Sequence, residues 1–191
     1  MAHKGLEKFY ALVESFENLP AIGKKSAQRL AYHIVYENTY SGIKLSHSIE
    51  EAIGSIKKCT RCGSMSEHEI CDICLDTDRD NRKLCLVQSA KDIFNIEESA
   101  QYDGKYFVFE ELKEENVMKL KNFVDLNKTS SVLFAMTPSL ANDAFMLYIE
   151  DALKNYELSF TKIAQGVPTG VSLENVDILS LSKAIKDSVK I

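Results

Sequence analysis

Cys59-Thr60-Arg61-Cys62, eight intervening residues, then Cys71-Asp72-Ile73-Cys74 is the stretch that decides how this chain can fold. A CxxC turn presents two soft sulfurs from one tight knuckle, and two knuckles supply the four thiolates that zinc accepts tetrahedrally. Four protein ligands leave no position open to water, so the spacing predicts one structural zinc per chain on Cys59, Cys62, Cys71 and Cys74, and not a hydrolytic centre. A segment of roughly twenty residues is too short to hold a core of its own, which makes the metal a folding requirement of that segment. The other readings are a pair of disulfides or four unrelated buried thiols. No secretory signal is evident, and the reducing compartment expected on that ground disfavours disulfides. His68, between the pairs, is a possible substitute ligand; with four cysteines present it is expected to face solvent. Cys85, in the run Leu84-Cys85-Leu86-Val87, reads as a small core residue.

The 191 residues carry 45% hydrophobic and 27% charged side chains, the balance of an ordinary globular protein, and no apolar run approaches the ~20 residues that cross a bilayer. The formal charge of −5 speaks against a protein that coats nucleic acid over its whole surface. It leaves room for a local basic site, because the charge is unevenly spread. Lys4, Lys8, Lys24, Lys25 and Arg29 face only Glu7, Glu14 and Glu17 in the first 35 residues, whereas residues 97–115 are dominated by glutamates.

Apolar residues at Leu6, Phe9, Tyr10, Val13 and Phe16 have the spacing of a helix buried on one face over residues 4–18. Leu19-Pro20-Ala21-Ile22-Gly23 then reads as a turn, with proline fixing one φ, Gly23 permitting a positive one and Ile22 tucked inward. A second helix is expected from Lys24, with Ala27, Leu30, Ala31, Ile34 and Val35 as its inner stripe. Helix, hydrophobic-Gly turn and helix make a helix-hairpin-helix, in which free amides at the start of the second helix favour an anion. Gly23, Lys24, Lys25 and Arg29 are the candidate DNA-phosphate contacts; a plain helical hairpin with surface lysines is the bland alternative. A third helix, capped by Ser46, is expected to turn Ile49, Ala52, Ile53 and Ile56 inward before the cysteines. Lys57, Lys58 and Arg61 form a second basic cluster at the first knuckle.

Beyond Arg82 the pattern alternates. Strands are expected at residues 84–87, 106–109, 131–136 and 158–164, and helices at 92–99, 114–126 and 139–156. That alternation predicts a mostly parallel sheet with helices packed against it, and no GxGxxG comes after the first strand. Gly166-Val167-Pro168-Thr169-Gly170 turns the chain into a last helix bearing Ile178, Leu181, Ile185 and Val189.

Four stretches in this order resemble the RecR recombination-mediator family along the whole chain. Residues 19–31 look like its helix-hairpin-helix, the paired CxxC like its zinc finger, residues 84–92 like its first Toprim strand, and residues 166–174 with Asp177 like its C-terminal signature. The resemblance implies a ring-forming, DNA-binding protein without enzymatic activity, which works with RecO, and in many bacteria RecF, to load recombinase at gaps. Departures are informative. Ala21 stands where the family usually has glycine; Gln88 stands where Toprim chemistry needs a glutamate. Thr137-Pro138-Ser139-Leu140-Ala141-Asn142-Asp143 replaces a segment that usually holds two glutamates, and the Gly-rich stretch expected after the second strand is the shorter Glu110-Glu111-Leu112-Lys113-Glu114-Glu115.

The expectation is thus an α+β chain: helix-hairpin-helix over residues 1–56, zinc finger over 57–79, Toprim-like α/β part with a mostly parallel sheet over 80–165, helical tail over 166–191. Three functional classes compete. They are a DNA-repair binding and assembly factor in the cytoplasm at the nucleoid, a zinc-stapled protein-interaction module without nucleic acid, and a Toprim phosphoryl-transfer enzyme. Gln88 and Ala141 count against the last, since neither a carboxamide nor a methyl exchanges protons near neutral pH or brings charge to a metal.

Overall fold

The computed structural model describes residues 5–164, 166–167 and 170–186. Lys4, Pro168, Thr169 and Val189, named above, lie outside them. The chain forms two compact units, Met1–Ile56 and Lys57–Ile191, and the architecture is the expected α+β one.

The first unit is helical: α1 (Glu7–Glu17), α2 (Lys24–Tyr32) running into a π-helical turn (His33–Glu37), and α3 (Thr39–Ser55). Val13 of α1 packs on Ala27 and Ala31 of α2, with Phe9, Leu12, Phe16 and Ile22 around them. Two alanines on one helix face allow the close approach of α1, and the hairpin results from that contact. The wider inner stripe fails at two positions. Leu30 and Val35 are exposed, and Ile34 is only half-buried. The π turn inserts an extra residue per turn and rotates the later residues away from the α1 face. α3 starts at Thr39, seven residues before Ser46, because the side chain of Asn38 accepts from Ser41 N–H and caps it. Its Ile49, Ile53 and Ile56 face outward, and Ile53 is 79% exposed.

The turn also differs from expectation. Gly23 is extended at φ −86, ψ 164, and the positive φ of 64° belongs to Ala21. Ile22 N–H donates to Leu19 C=O at 3.3 Å, so Pro20 and Ala21 are the second and third residues of a type II-like turn. That third position demands positive φ and favours glycine.

The second unit is built on a four-stranded parallel sheet: β3 (Asp80–Val87), β4 (Gly104–Val108), β5 (Ser131–Phe134) and β6 (Ser159–Lys162) in the order β4-β3-β5-β6. Central β3 is buried on both faces, which explains its unbroken apolar run. Leu84 and Leu86 join one core with Phe107, Leu120, Phe123 and Ile149, drawn from β4, α6 (Glu114–Asn127) and α7 (Leu140–Ala152). Cys85 and Val87 point to the other, with Ile93 of α5 (Ala90–Glu98) and Tyr106. α5 starts two residues before the expected Asp92. Ser89 and Asp92 form a reciprocal capping box, in which Asp92 is the third residue of the helix and not its cap. The last helix is α8 (Ile178–Lys186).

Strain at Ala21 generates a prediction. An L-residue in the left-handed region costs roughly 1–2 kcal/mol, while the extra freedom of glycine in the unfolded chain costs ~0.4–1 kcal/mol. Ala21→Gly should therefore stabilise the helical unit by about 0.5–1 kcal/mol in a denaturant titration. A loss of stability would contradict the assignment of this turn.

Candidate metal centre and nucleic-acid interface

The knuckles are placed by short local elements. β1 (Lys57–Lys58) pairs antiparallel with β2 (Met65–Ser66), which folds the first CxxC into a loop closed by Cys59 N–H to Ser64 C=O at 2.7 Å. The second pair opens the one-turn helix α4 (Asp72–Leu75), whose first turn carries Cys74 N–H to Cys71 C=O at 3.0 Å. The two loops bring Cys59, Cys62, Cys71 and Cys74 together with all four sulfurs within 4.8 Å of one another. Cys59 and Cys74 sulfurs lie 4.0 Å apart, those of Cys62 and Cys71 3.6 Å. Zinc–sulfur bonds of about 2.3 Å in a tetrahedron put sulfurs about 3.8 Å apart, so the residues fit the ion. Cys71 N–H points at the Cys59 sulfur and Ser64 N–H at that of Cys62, the outer hydrogen bonds that steady a thiolate ligand. His68 is exposed and stands outside the group.

Thiols packed this closely cannot all ionise without a cation. S–H donors from Cys62, Cys71 and Cys74 favour the thiolate at Cys59, whereas Cys62 and Cys74 are pushed up, first by their bonds to Cys59 and then by burial and like charge. Zinc supplies the compensating charge and closes the shell. Cys85 is apart from this chemistry; burial raises its thiol to about 12, as suits a core residue.

Sequence reasoning missed the residue that ties the knuckle to the sheet. Lys105 of β4 is 2% exposed, and its ammonium donates to the carbonyls of Ile73 at 2.7 Å, Cys74 at 3.4 Å and Asp76. These are the free carbonyls at the end of α4, where a cation is favoured. Four thiolates around a divalent ion are formally dianionic, so an ammonium bonded to the Cys74 carbonyl offsets part of that charge. Val108 N–H donates to Cys62 C=O at 2.8 Å, and Arg79 reaches the Gly104 carbonyl at 3.1 Å while also pairing with Glu97. The knuckle thereby covers the free edge of β4. Cys59, Cys62 and Cys71 belong to the same core as Leu84 and Phe107.

At the carboxyl ends of β3 and β5, where parallel sheets place ligands, the chemistry is amide. Gln88 Nε2 donates to Asn142 Oδ1 at 2.8 Å, and Asn142 Nδ2 donates to Thr137 C=O at 2.7 Å. Asp143 is exposed and paired with Lys162 at 3.1 Å. Among the described residues, the four cysteines are the only group of three or more His, Cys, Asp or Glu brought within metal-binding reach.

In the first unit, Gly23 is the N-cap of α2, and Lys24, Lys25 and Arg29 are all exposed beside its free amides. A Cβ built on Gly23 meets nothing within 4 Å, and its φ suits any residue. Folding does not require that glycine. No side chain caps the α2 amides. The first-knuckle cations are less available, since Lys58 is paired with Glu110.

Fold and site together define a zinc-stapled helix-hairpin-helix protein with a parallel α/β sheet. Family profiles match in two places: the RecR helix-hairpin-helix over residues 9–53 and the RecR four-cysteine zinc finger domain over residues 56–76. Among similar curated proteins is Recombination protein RecR of a Nitratiruptor species, 58% identical over 97% of this chain and 98% of that protein. Its counterpart in Campylobacter jejuni is 53% identical over 98% and 99%, and that of Helicobacter pylori 43% over 97% and 96%. The chain belongs to the RecR family of recombination proteins. Its zinc finger carries one structural zinc on four cysteines.

The Lys105 latch is testable. Lys105→Met keeps the stem but leaves the α4 carbonyls without their donor, which should cost about 2–3 kcal/mol and hasten zinc release to a chelator. Unchanged melting and unchanged release would show the latch to be idle. Protons compete with zinc for the sulfurs, so release should also accelerate as pH falls in both proteins.

Proposed function

We propose that this protein is a DNA-binding mediator of recombinational repair that acts with a RecO-like partner, and RecF where present, to promote recombinase loading at gaps. The observation that carries the reading is the start of α2: Gly23 caps it without steric need and without a side-chain cap, and Lys24, Lys25 and Arg29 stand exposed beside its free amides. An anion fits amides and cations so arranged. With a net charge of −5, contact with DNA belongs to such a confined patch and not to the surface at large. Contacts of this kind hold phosphates without reading bases, so binding is sequence-independent.

Zinc serves structure, through Cys59, Cys62, Cys71 and Cys74. The Toprim-like part serves as a scaffold and partner surface rather than a catalytic centre. The hydrogen-bonded Gln88–Asn142 amides support that, since they occupy the strand ends where magnesium chemistry would need carboxylates. A ring-forming homo-oligomer is supported by the outward apolar residues Ile43, Ile49 and Ile53 of α3, more than a 56-residue unit comfortably leaves to water. The cytoplasmic nucleoid is the corresponding place of action. Domain limits of 1–56 for DNA contact, 57–79 for zinc and 80–165 for the scaffold go with these roles, and 166–191 forms the tail.

Replacing both Lys25 and Arg29 by alanine should remove about two phosphate contacts per engaged subunit. The slope of log affinity against log salt then becomes shallower by roughly 1.4–1.8 per subunit, at ~0.7–0.9 per contact. Gly23→Ala should lower DNA affinity, because the added methyl stands before the amides, while shifting stability by less than ~1 kcal/mol. Wild-type affinity and salt slope in a folded double variant would place the DNA site elsewhere, with Lys57, Lys58 and Arg61 next to be tested.

A further inference from the structure

One face of the hairpin carries chemistry that phosphate contact alone does not use. Lys25, Arg29 and Tyr32 succeed one another at intervals of four and three residues, the spacing of a single helical stripe, and the π turn sets Tyr36 beside Tyr32. The stripe borders an open groove of about 1080 Å³ between α1 and α2, whose walls include Phe9, Tyr10, Lys25, Arg29, Tyr32 and His33. Tyr36 continues the stripe past the groove, its ring 5.2 Å from that of Tyr32 with the planes 32° apart. Both rings are open to an incoming partner, Tyr32 at 47% and Tyr36 at 77% exposure.

The charged side chains of the stripe are both cations. The described ion pairs of the unit are His33–Glu37 and His47–Glu51, so among the described residues neither Lys25 nor Arg29 has an acidic partner. Glu37 is the groove's one carboxylate among them, and it is bound to His33 at 2.7 Å. Cations at the amide-rich end and aromatic rings about 10 Å further along the helix, seven residues at ~1.5 Å each, suit a ligand that carries phosphates and planes in sequence.

We propose that the stripe takes single-stranded nucleic acid, with Lys25 and Arg29 on phosphates and the unpaired bases of adjoining nucleotides stacked on Tyr32 and Tyr36. Stacking on aromatic side chains is open to any base but only when the base is unpaired and splayed out. In a duplex the bases are stacked on one another and the rings find no face. Preference for single strand over duplex thus comes from the tyrosines, while affinity for the backbone comes from the cations. The inference rests on the reading that the hairpin engages DNA, and it adds the two residues that tell an unpaired strand from a duplex.

The test uses the full-length zinc-loaded protein and two oligonucleotides of equal length and charge, one of thymidine nucleotides and one with abasic sites throughout. Wild type should bind the thymidine strand at least about fivefold more tightly, the lower end of the effect of one aromatic platform. Tyrosine emission, free of tryptophan interference in this chain, should be quenched by that strand alone, and the quenching should be missing when Tyr32 and Tyr36 are replaced. Tyr32→Leu combined with Tyr36→Leu should abolish the preference while leaving abasic affinity unchanged, and Tyr32→Phe should keep it. Equal binding of both strands by wild type, still dependent on Lys25 and Arg29, would overturn this inference and leave the hairpin reading intact. Equal binding without that dependence would sink both. A changed oligomer mass in the leucine variant, with both strands weakened alike, would make the face a contact between copies of the chain and would equally overturn it.

Discussion

Four sulfurs held within 4.8 Å of one another are the constraint on which the second unit depends. Neutral thiols have little reason to crowd so closely, and four thiolates repel, so the knuckle is a fold only with a divalent cation at its centre. What that fold secures extends beyond its own loops. Cys62 lends a carbonyl to Val108, and the end of α4 lends three carbonyls to the buried ammonium of Lys105. An open β4 edge would offer unpaired backbone groups to other chains. The knuckle covers it, and three of its cysteines join the core that fills one face of the sheet.

The helical unit is organised by a weaker constraint, the fit of Val13 against Ala27 and Ala31. Small side chains at that contact bring the helices close and leave the rest of α2 free for other uses. The faces it turns outward differ in chemistry. One bears Lys25, Arg29, Tyr32 and Tyr36, two cations followed by two aromatic rings; α3 bears exposed isoleucines. The described strand ends of the parallel sheet carry amides at Gln88 and Asn142. Gln88 and Asn142 bond to each other, neutral groups closing a place where charged ones would draw metal.

Much of this was legible in the residues. The paired CxxC names its own ion, and the run Leu84-Cys85-Leu86-Val87 reads as a buried strand, which the structure covers on both faces with alternate residues in different cores. What could not be read depends on contacts distant in sequence or on irregular backbone. Lys105 looks like a surface lysine, because its partners lie about thirty residues upstream and only the fold brings them over β4. No residue pattern announces the π turn at His33–Glu37, yet that turn carries Val35 out of the expected stripe. At the hairpin, the visible glycine drew the positive φ to Gly23, although the hydrogen bond from Ile22 to Leu19 fixes it at Ala21. Asn38 outranks Ser46 as a cap because its side chain meets the free N–H of Ser41.

Hydrogen–deuterium exchange before and after zinc removal tests the central claim most directly. If the metal holds the knuckle against the sheet edge, chelation should release protection at Lys105, Tyr106, Phe107 and Val108 of β4 together with the loops around Cys59 and Cys71, while α1 and α2 of the separate helical unit stay as protected as before. Loss of protection confined to the knuckle, with β4 unchanged, would contradict the account and reduce the zinc finger to an appendage of the fold.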